Sequence, residues 1–117
     1  MPSIRDLVAA IRQRDGVDAA IVLGRDGLLI DSHLTPGLDA EDIAARIPAI
    51  IGSADDLGVA TGRGELATAV LEHAKGLAIV SVLSAEAVLL VLVTPKANLG
   101  QLLFELRRNR EHIAALV

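Results

Sequence analysis

The sequence predicts an α/β domain of the α+β sandwich type, in which a five-stranded antiparallel sheet carries helices on both faces. Three segments have apolar residues at the helical period, and five short segments are rich in Val, Ile, Leu and Ala. Their order is α-β-β-α-β-β-β-α, and the short turns between consecutive strands require antiparallel neighbours. The 117 residues, 52% of them hydrophobic, are enough for one domain over residues 1–117 with a substantial core.

The first helix is predicted over residues 3–14. Ser3 and Asp6 have the three-residue spacing of a capping box, in which each side chain bonds the other residue's backbone amide. Apolar side chains then recur on one face of the segment, and Gly16 follows as an end signal. This pattern is typical of a helix that packs on one side and is solvated on the other.

The segment 24–27, GRDG, separates two predicted strands over residues 17–23 and 28–31. Two glycines around a polar pair could cradle a phosphate or turn the chain. A phosphate-binding loop leads from a strand into the N-terminus of a helix. Here a second apolar run follows without a capping residue, so the segment is interpreted as a hairpin turn. Residues 32–38 are predicted as a loop after the second strand.

The second helix is predicted over residues 39–57, capped by Asp39 and bent by Pro48. It has two apolar faces, whereas a helix that lies on a single sheet needs one. The residues of the first face are Ile43, Ile47, Ile50, Ala54 and Leu57. The residues of the second face, most of them small, are Ala40, Ala44, Ala45, Ile51 and Ala54. We therefore expect this helix to contact its own sheet and a second surface.

The C-terminal half is predicted to contain three strands and one helix. A loop over residues 58–64 leads to strands over residues 65–74, 77–83 and 87–93. The last of these strands is apolar on both faces, which is typical of a central strand covered on both sides. A closing helix is predicted to begin at Asn98 and to continue as one element. The residues of its predicted solvent face are Arg107, Arg108, Arg110 and Glu111.

The residue types offer no catalytic or metal-binding constellation. The sequence has no cysteine, which excludes disulfides and thiolate chemistry. His33, His73 and His112 lack a second ligand at metal-binding spacing and are interpreted as solvent-facing. The pair Asp55-Asp56 is interpreted as a solvated helix end, with a bound cation or a basic partner as the alternative. We therefore expect a protein that is not an enzyme and needs no cofactor.

Charge and composition narrow the range of partners. The net charge of −4 and the single aromatic residue argue against binding of nucleic acid, which favours basic surfaces and stacking rings. The longest apolar run, residues 87–93, is far shorter than the roughly 20 residues of a membrane-spanning helix, so no membrane insertion is expected. The N-terminal residues lack a signal-peptide pattern, and the absence of cysteine suits a cytoplasmic location.

Two features predict self-association. The second helix has a spare apolar face, and the strand over residues 65–74 is expected at a sheet edge because a long connection delivers it. An uncovered edge strand presents unpaired backbone groups to another chain. Symmetric pairing through this helix and this strand would bury both surfaces, which predicts a homodimer.

The element order and four segments resemble the roadblock / dynein light chain family, whose fold is profilin-like. The segments are the hairpin 17–30, the helix 39–58, the strand start 65–71 and the closing helix 98–108. The resemblance covers almost the whole chain and implies a non-enzymatic regulatory module that dimerises through the central helix and the third strand. The residues expected at this interface on the two elements are Ala44, Ile47, Ile51, Ala54, Leu66, Ala67, Thr68, Ala69, Val70 and Leu71.

Within that family, the chain is similar to the MglB type of bacterial small-GTPase regulators. This resemblance implies a small Ras-like GTPase, MglA-like, as partner, and a GTPase-activating role in which the paired central helices reshape the GTPase's own site. The residues it implies for the GTPase-binding surface are Glu41, Asp42, Ala45 and Arg46. A heterodimer with another roadblock protein, a small-ligand sensor and an interaction scaffold without a GTPase partner remain as alternatives.

Overall fold

The computed structural model describes residues 3–117, in which five strands form one antiparallel sheet and helices cover both of its faces. The predicted fold class is confirmed. In chain order the elements are α1 (Ile4–Arg12), β1 (Val17–Gly24), β2 (Leu29–Leu34), α2 (Ala40–Ala60), β3 (Thr68–His73), β4 (Gly76–Val82), β5 (Ala87–Val93), α3 (Leu99–Arg108) and α4 (Arg110–Ala114). The strand order across the sheet is β2-β1-β5-β4-β3, so β2 and β3 are the two edges.

The hydrophobic core forms two layers, because alternate residues of each strand point to opposite faces of the sheet. α1, α3 and α4 cover one face, where their buried side chains pack over β1, β4 and β5. α2 alone covers the opposite face, where Ala44, Ile47 and Ile51 pack on the other side chains of the same three strands. The central strand β5 is buried along most of its length, as its two-sided apolar pattern predicts.

The segment 24–27 is a hairpin turn, as interpreted from the sequence. The Gly27 amide donates to the Gly24 carbonyl oxygen at 2.9 Å, and the Gly24 amide donates to the Leu28 carbonyl oxygen at 2.8 Å. Gly27 has a φ of +89°, and a Cβ there would lie 3.1 Å from Pro48 Cγ. Glycine is therefore favoured at this position both by the backbone conformation and by the close approach of α2.

The edge strands differ in length from the prediction. β2 continues beyond residue 31 to Leu34, because it stays paired with β1 as far as the Ala19–Leu34 position. β3 begins at Thr68 and not at residue 65. Two hydrogen bonds hold the residues just before β3. The Leu66 amide donates to the Asp55 carboxylate of α2, and the Val82 amide donates to the Ala67 carbonyl oxygen.

α2 ends at Ala60, three residues beyond the predicted end, so Gly58 is helical and the predicted loop start is wrong. Thr61 caps the end: its hydroxyl donates to the carbonyl oxygens of Leu57 and Gly58 at 2.8 and 3.2 Å. Gly62, with a φ of +71°, then reverses the chain. No helix within residues 3–117 combines the length and the apolar character needed to cross a membrane.

The predicted single closing helix is two helices, α3 and α4, which meet at Asn109. The Asn109 side chain and its backbone amide both donate to the Glu105 carbonyl oxygen, at 2.9 and 3.0 Å, and this closes α3. The Asn109 carbonyl oxygen then accepts from Ile113 and begins α4. The apolar stripe continues across the break, since Leu102, Leu106 and Ile113 are all buried on the same face of the sheet.

Candidate interaction surface

β3 is an edge strand, as the sequence predicts, and the direction of its backbone groups follows from its pairing with β4. His73 and Gly76 close a two-residue turn, and the Val82 amide donates to the Ala67 carbonyl oxygen at 2.9 Å. Hydrogen-bonded positions alternate along an antiparallel pair, so odd-numbered residues of β3 bond β4. Thr68, Val70 and Glu72 therefore direct their amides and carbonyl oxygens outward, away from the sheet.

The side chains of β3 divide between the two faces of the sheet. Ala69 and Leu71 are half-buried among the residues that pack with α2. Val70 pairs with Ile79, whose side chain belongs to the layer under α1, α3 and α4. Val70 is 39% exposed, and Glu72 on the same face is exposed. The edge therefore combines outward backbone groups with apolar side chains that its own fold covers only in part.

On α2, three of the residues predicted for the dimer interface lie in the chain's own core. Ala44, Ile47 and Ile51 are 0%, 4% and 3% exposed and form the stripe that packs on the sheet. Within one copy the sheet covers these side chains, because the spacing 44, 47, 51 is itself a sheet-facing helical stripe. Their part in a dimer interface stays a prediction. Ala54 is half-buried, whereas Leu57 at the C-terminal end is 66% exposed.

Asp55 joins three segments of the chain at the end of α2. One carboxylate oxygen accepts from Arg25 Nη2 at 3.0 Å, and the other accepts from the Leu66 amide at 2.6 Å. Asp55 thus ties α2 to the hairpin turn and to the lead into β3. The interpretation of Asp55 as a solvated helix end is wrong, while its neighbour Asp56 is exposed as expected.

We expect the replacement Asp55→Ala to lower the free energy of unfolding by about 1–3 kcal/mol, because it leaves the half-buried Arg25 and the Leu66 amide without their acceptor. Urea unfolding measures this change. Asp56→Ala is the matched control and should stay within about 0.5 kcal/mol of the unmodified chain. Equal changes for the two variants would contradict a stabilising role for the bonds from Arg25 and the Leu66 amide to Asp55.

A cavity of about 570 Å³ lies where the end of α2, the start of β3 and the last two helices meet. Its lining includes three arginines, Arg63, Arg107 and Arg110, and one acidic residue, Glu65. Arg110 is half-buried, so its predicted place on the solvent face is wrong. Its Nη2 donates to Thr68 Oγ1 at 2.7 Å, and its buried Nε has no hydrogen-bond partner among the residues that the structure describes. None of the three arginines forms an ion pair with a carboxylate of residues 3–117.

The predicted GTPase-binding residues Glu41, Asp42, Ala45 and Arg46 are all exposed, in the N-terminal half of α2. Asp39 caps the helix by accepting from the Glu41 and Asp42 amides at 3.1 and 3.2 Å. Arg46 donates to Asp42 at 3.2 Å, one helical turn away. This hydrogen bond, and then the charge of Asp42, raise the pKa of Arg46 above its ordinary value. The surface is therefore polar, with one ordered ion pair.

The described residues show no arrangement for metal chemistry. Among residues 3–117, no group of three or more His, Cys, Asp or Glu side chains is placed to hold a metal ion. His33, His73 and His112 are exposed, as interpreted from the sequence. The features described above are an open strand edge, β3, and the exposed side of α2.

Comparison with known proteins agrees with this architecture. The Roadblock/LC7 domain model matches residues 4–93. An uncharacterized protein of Methanocaldococcus jannaschii, MJ1340, is 32% identical over 106 residues, which cover 91% of this chain and 92% of that protein. This relative is similar to the chain over nearly the full length of both.

Solved structures share the fold. Myxococcus xanthus MglB superposes with a TM-score of 0.87 at 17% identity, over 97% of this chain and 93% of that one. A Roadblock/LC7 domain from Streptomyces avermitilis gives a TM-score of 0.86 at 22% identity, over 97% of both chains. A structure described as MglB with tetrameric arrangement gives 0.85 at 14% identity, over 97% of this chain and 86% of that one. With a family model that spans most of its elements, the chain belongs to the Roadblock/LC7 domain family.

Proposed function

We propose that this protein is a homodimeric regulator, without an enzymatic activity of its own, that binds a small Ras-like GTPase. The observation that carries the proposed dimer is the open edge of β3, where Thr68, Val70 and Glu72 direct their backbone groups outward and Val70 is partly exposed. Such an edge is a template for pairing with another chain. The GTPase partner is the one that the MglB-type resemblance implies, and the fold shared with MglB supports it.

In the proposed dimer, β3 of one copy pairs with β3 of the other across a two-fold axis, and the two sheets become continuous. The strand side of the interface is then residues 66–71, as the family resemblance implies. On α2, Ala54 and Leu57 lie at the end of the helix beside β3 and have surface left to contribute. Ala44, Ile47 and Ile51 contribute indirectly, because they pack α2 against the sheet.

The proposed GTPase-binding surface is the exposed N-terminal half of α2, with Glu41, Asp42, Ala45 and Arg46. Exposed charged side chains around a small residue suit the polar rim of a transient protein interface. No side chain there is placed as a nucleophile or a metal ligand, so this chain would act by positioning the GTPase's own residues. A GTPase-activating effect is the finer form of this proposal.

We expect the unmodified chain, used as bait in lysate of its source cell, to capture a small GTPase with a non-hydrolysable GTP analogue and not with GDP. The combined variant Asp42→Lys and Arg46→Glu should lose the capture, because it replaces both charges of the surface. Glu111→Lys, at an exposed position of α4 on the opposite face of the sheet, is the control and should retain it. Capture with GDP alone would point to exchange or scaffolding, and no GTPase in either state would refute the proposed partner class.

We expect Val70→Pro to convert the dimer into a folded monomer. The Val70 amide points outward, so proline removes a donor from the pairing between copies and none from the ladder with β4. Light scattering at micromolar concentration gives the mass, and circular dichroism checks the fold. Val70→Ala keeps the amide and should remain dimeric. A dimer that survives Val70→Pro would place the contact on another surface.

A further inference from the structure

Among residues 3–117, two oppositely charged side chains that form no ion pair lie over the same face of the sheet, at opposite ends of β3. Arg110 is fixed at one end of the strand by its 2.7 Å bond to Thr68 Oγ1. Glu72 is exposed at the other end, and it forms no ion pair with any of residues 3–117. Thr68 and Glu72 are four residues apart, about 13 Å along a strand, so these charges do not meet within one copy.

A two-fold axis beside the strand brings Glu72 of one copy close to Arg110 of the other. The three outward residues of β3 pair most symmetrically when the axis passes beside Val70, because Val70 then faces its own counterpart and Thr68 faces Glu72 of the second copy. All the outward amides and carbonyl oxygens of the strand are bonded in this register. A shift of the axis by one position in either direction places Glu72 against Val70 of the second copy, or against Leu66, which lies before the strand begins and packs on the α2 face of the sheet. Neither register brings the Glu72 carboxylate opposite Thr68 and its bound Arg110.

We propose that Glu72 of a second copy occupies the arginine-lined cavity and forms an ion pair with Arg110, which fixes the register of β3 against β3. This inference rests on the proposed dimer. Opposed side chains of a strand pair have Cβ atoms about 5.5 Å apart, within the reach of a glutamate. Since Arg110 already bonds Thr68, the carboxylate of the opposed Glu72 meets the guanidinium there. The dimer contains the pair twice, once on each side of the axis.

The first test reverses each charge. Glu72→Arg and Arg110→Glu are each expected to raise the dissociation constant of the dimer about tenfold or more, because two pairs become like-charge contacts. The double variant should regain most of the affinity, since the pair is restored with its charges exchanged. Glu111→Arg, beside Arg110 but exposed, is the control for net charge and should change the constant little. Sedimentation velocity supplies the constants.

The second test measures the register without altering a charge. The chain has no cysteine, so single replacements give unambiguous cross-links. Val70→Cys should form a disulfide between copies on mild oxidation, because a hydrogen-bonded pair places the Cα atoms about 5.5 Å apart. Ala69→Cys and Leu71→Cys report the two shifted registers and should cross-link much more slowly.

Each outcome bears on a different part of the proposal. A dimer that cross-links fastest through Ala69→Cys or Leu71→Cys overturns the register and leaves the dimer and the GTPase proposal standing. A double variant no tighter than its parents overturns the ion pair. If inorganic phosphate stabilises the unmodified chain but not Arg110→Glu, with the dimer unaffected by either reversal, the cavity binds a small anion and the pairing with Glu72 is refuted. A monomeric unmodified chain refutes both the inference and the proposed dimer.

Discussion

Replacing Gly58 by alanine is expected to destabilise the fold by about 3 kcal/mol. Gly58 lies in the last turn of α2, and an added Cβ would overlap the carbonyl oxygen of Gly64. That backbone has little room to move, because the Gly58 carbonyl oxygen accepts from the Arg63 and Gly64 amides at 2.7 and 3.1 Å. Relief of the overlap would break both bonds and displace the lead into β3.

The same helix supplies a control with the opposite expected sign. Apart from its chain neighbours and its own helix backbone, no described atom lies within 4 Å of a Cβ added at Gly52, so Gly52→Ala meets no obstacle. It should raise the free energy of unfolding by about 0.5–1 kcal/mol, since alanine costs less backbone entropy in a helix. Thermal and urea unfolding of both variants, at one protein concentration, check the pair. Similar values for the two would mean that Gly58 and Gly64 do not approach closely.

Ile51→Asp is expected to cost about 4 kcal/mol or more, most of the stability of a domain of this size. Ile51 is 3% exposed between α2 and the sheet, so the new carboxylate would be buried without a hydrogen-bond partner or would have to take up a proton. Circular dichroism should show loss of the folded state near room temperature. Ala49→Asp, on the exposed side of the same helix, should leave the fold intact.

The Ile51→Asp variant also tests whether this part of α2 faces the core or a second copy. If Ile51 were part of a dimer contact, Ile51→Asp would yield a folded monomer of normal stability. A folded, monomeric Ile51→Asp variant would therefore contradict the core position. Val70→Pro is the substitution expected to behave in that way, so the two variants together assign α2 and β3 their different roles.

Local signals in the sequence were sufficient for most elements. Ser3 and Asp6 form both bonds of the capping box at 3.2 Å, and Asn98 accepts from the Gln101 amide at 3.1 Å. Asp39 caps α2 as predicted. These devices act within three residues, so spacing alone identifies them. The antiparallel order and the edge position of β3 also follow from short turns and one long connection.

The errors fall where a residue's role is decided by a distant segment. Apolar residues surround most of α2, so periodicity allows more than one face to be the buried one, and only the sheet selects Ala44, Ile47 and Ile51. Asp55 bonds Arg25, 30 positions earlier. Arg110 is half-buried because the closing helix is interrupted at Asn109 and the Arg110 side chain bonds Thr68. No local pattern encodes these contacts.

The place of β5 between β1 and β4 has a consequence for synthesis on the ribosome. β5 is translated last of the five strands, yet it joins the hairpin of β1 and β2 to the hairpin of β3 and β4. Two-stranded ribbons are marginally stable on their own in water. While residues 87–93 are still inside the ribosome, the nascent chain can form only two separate hairpins with open edges. The sheet is completed late, in one cooperative step, when β5 emerges.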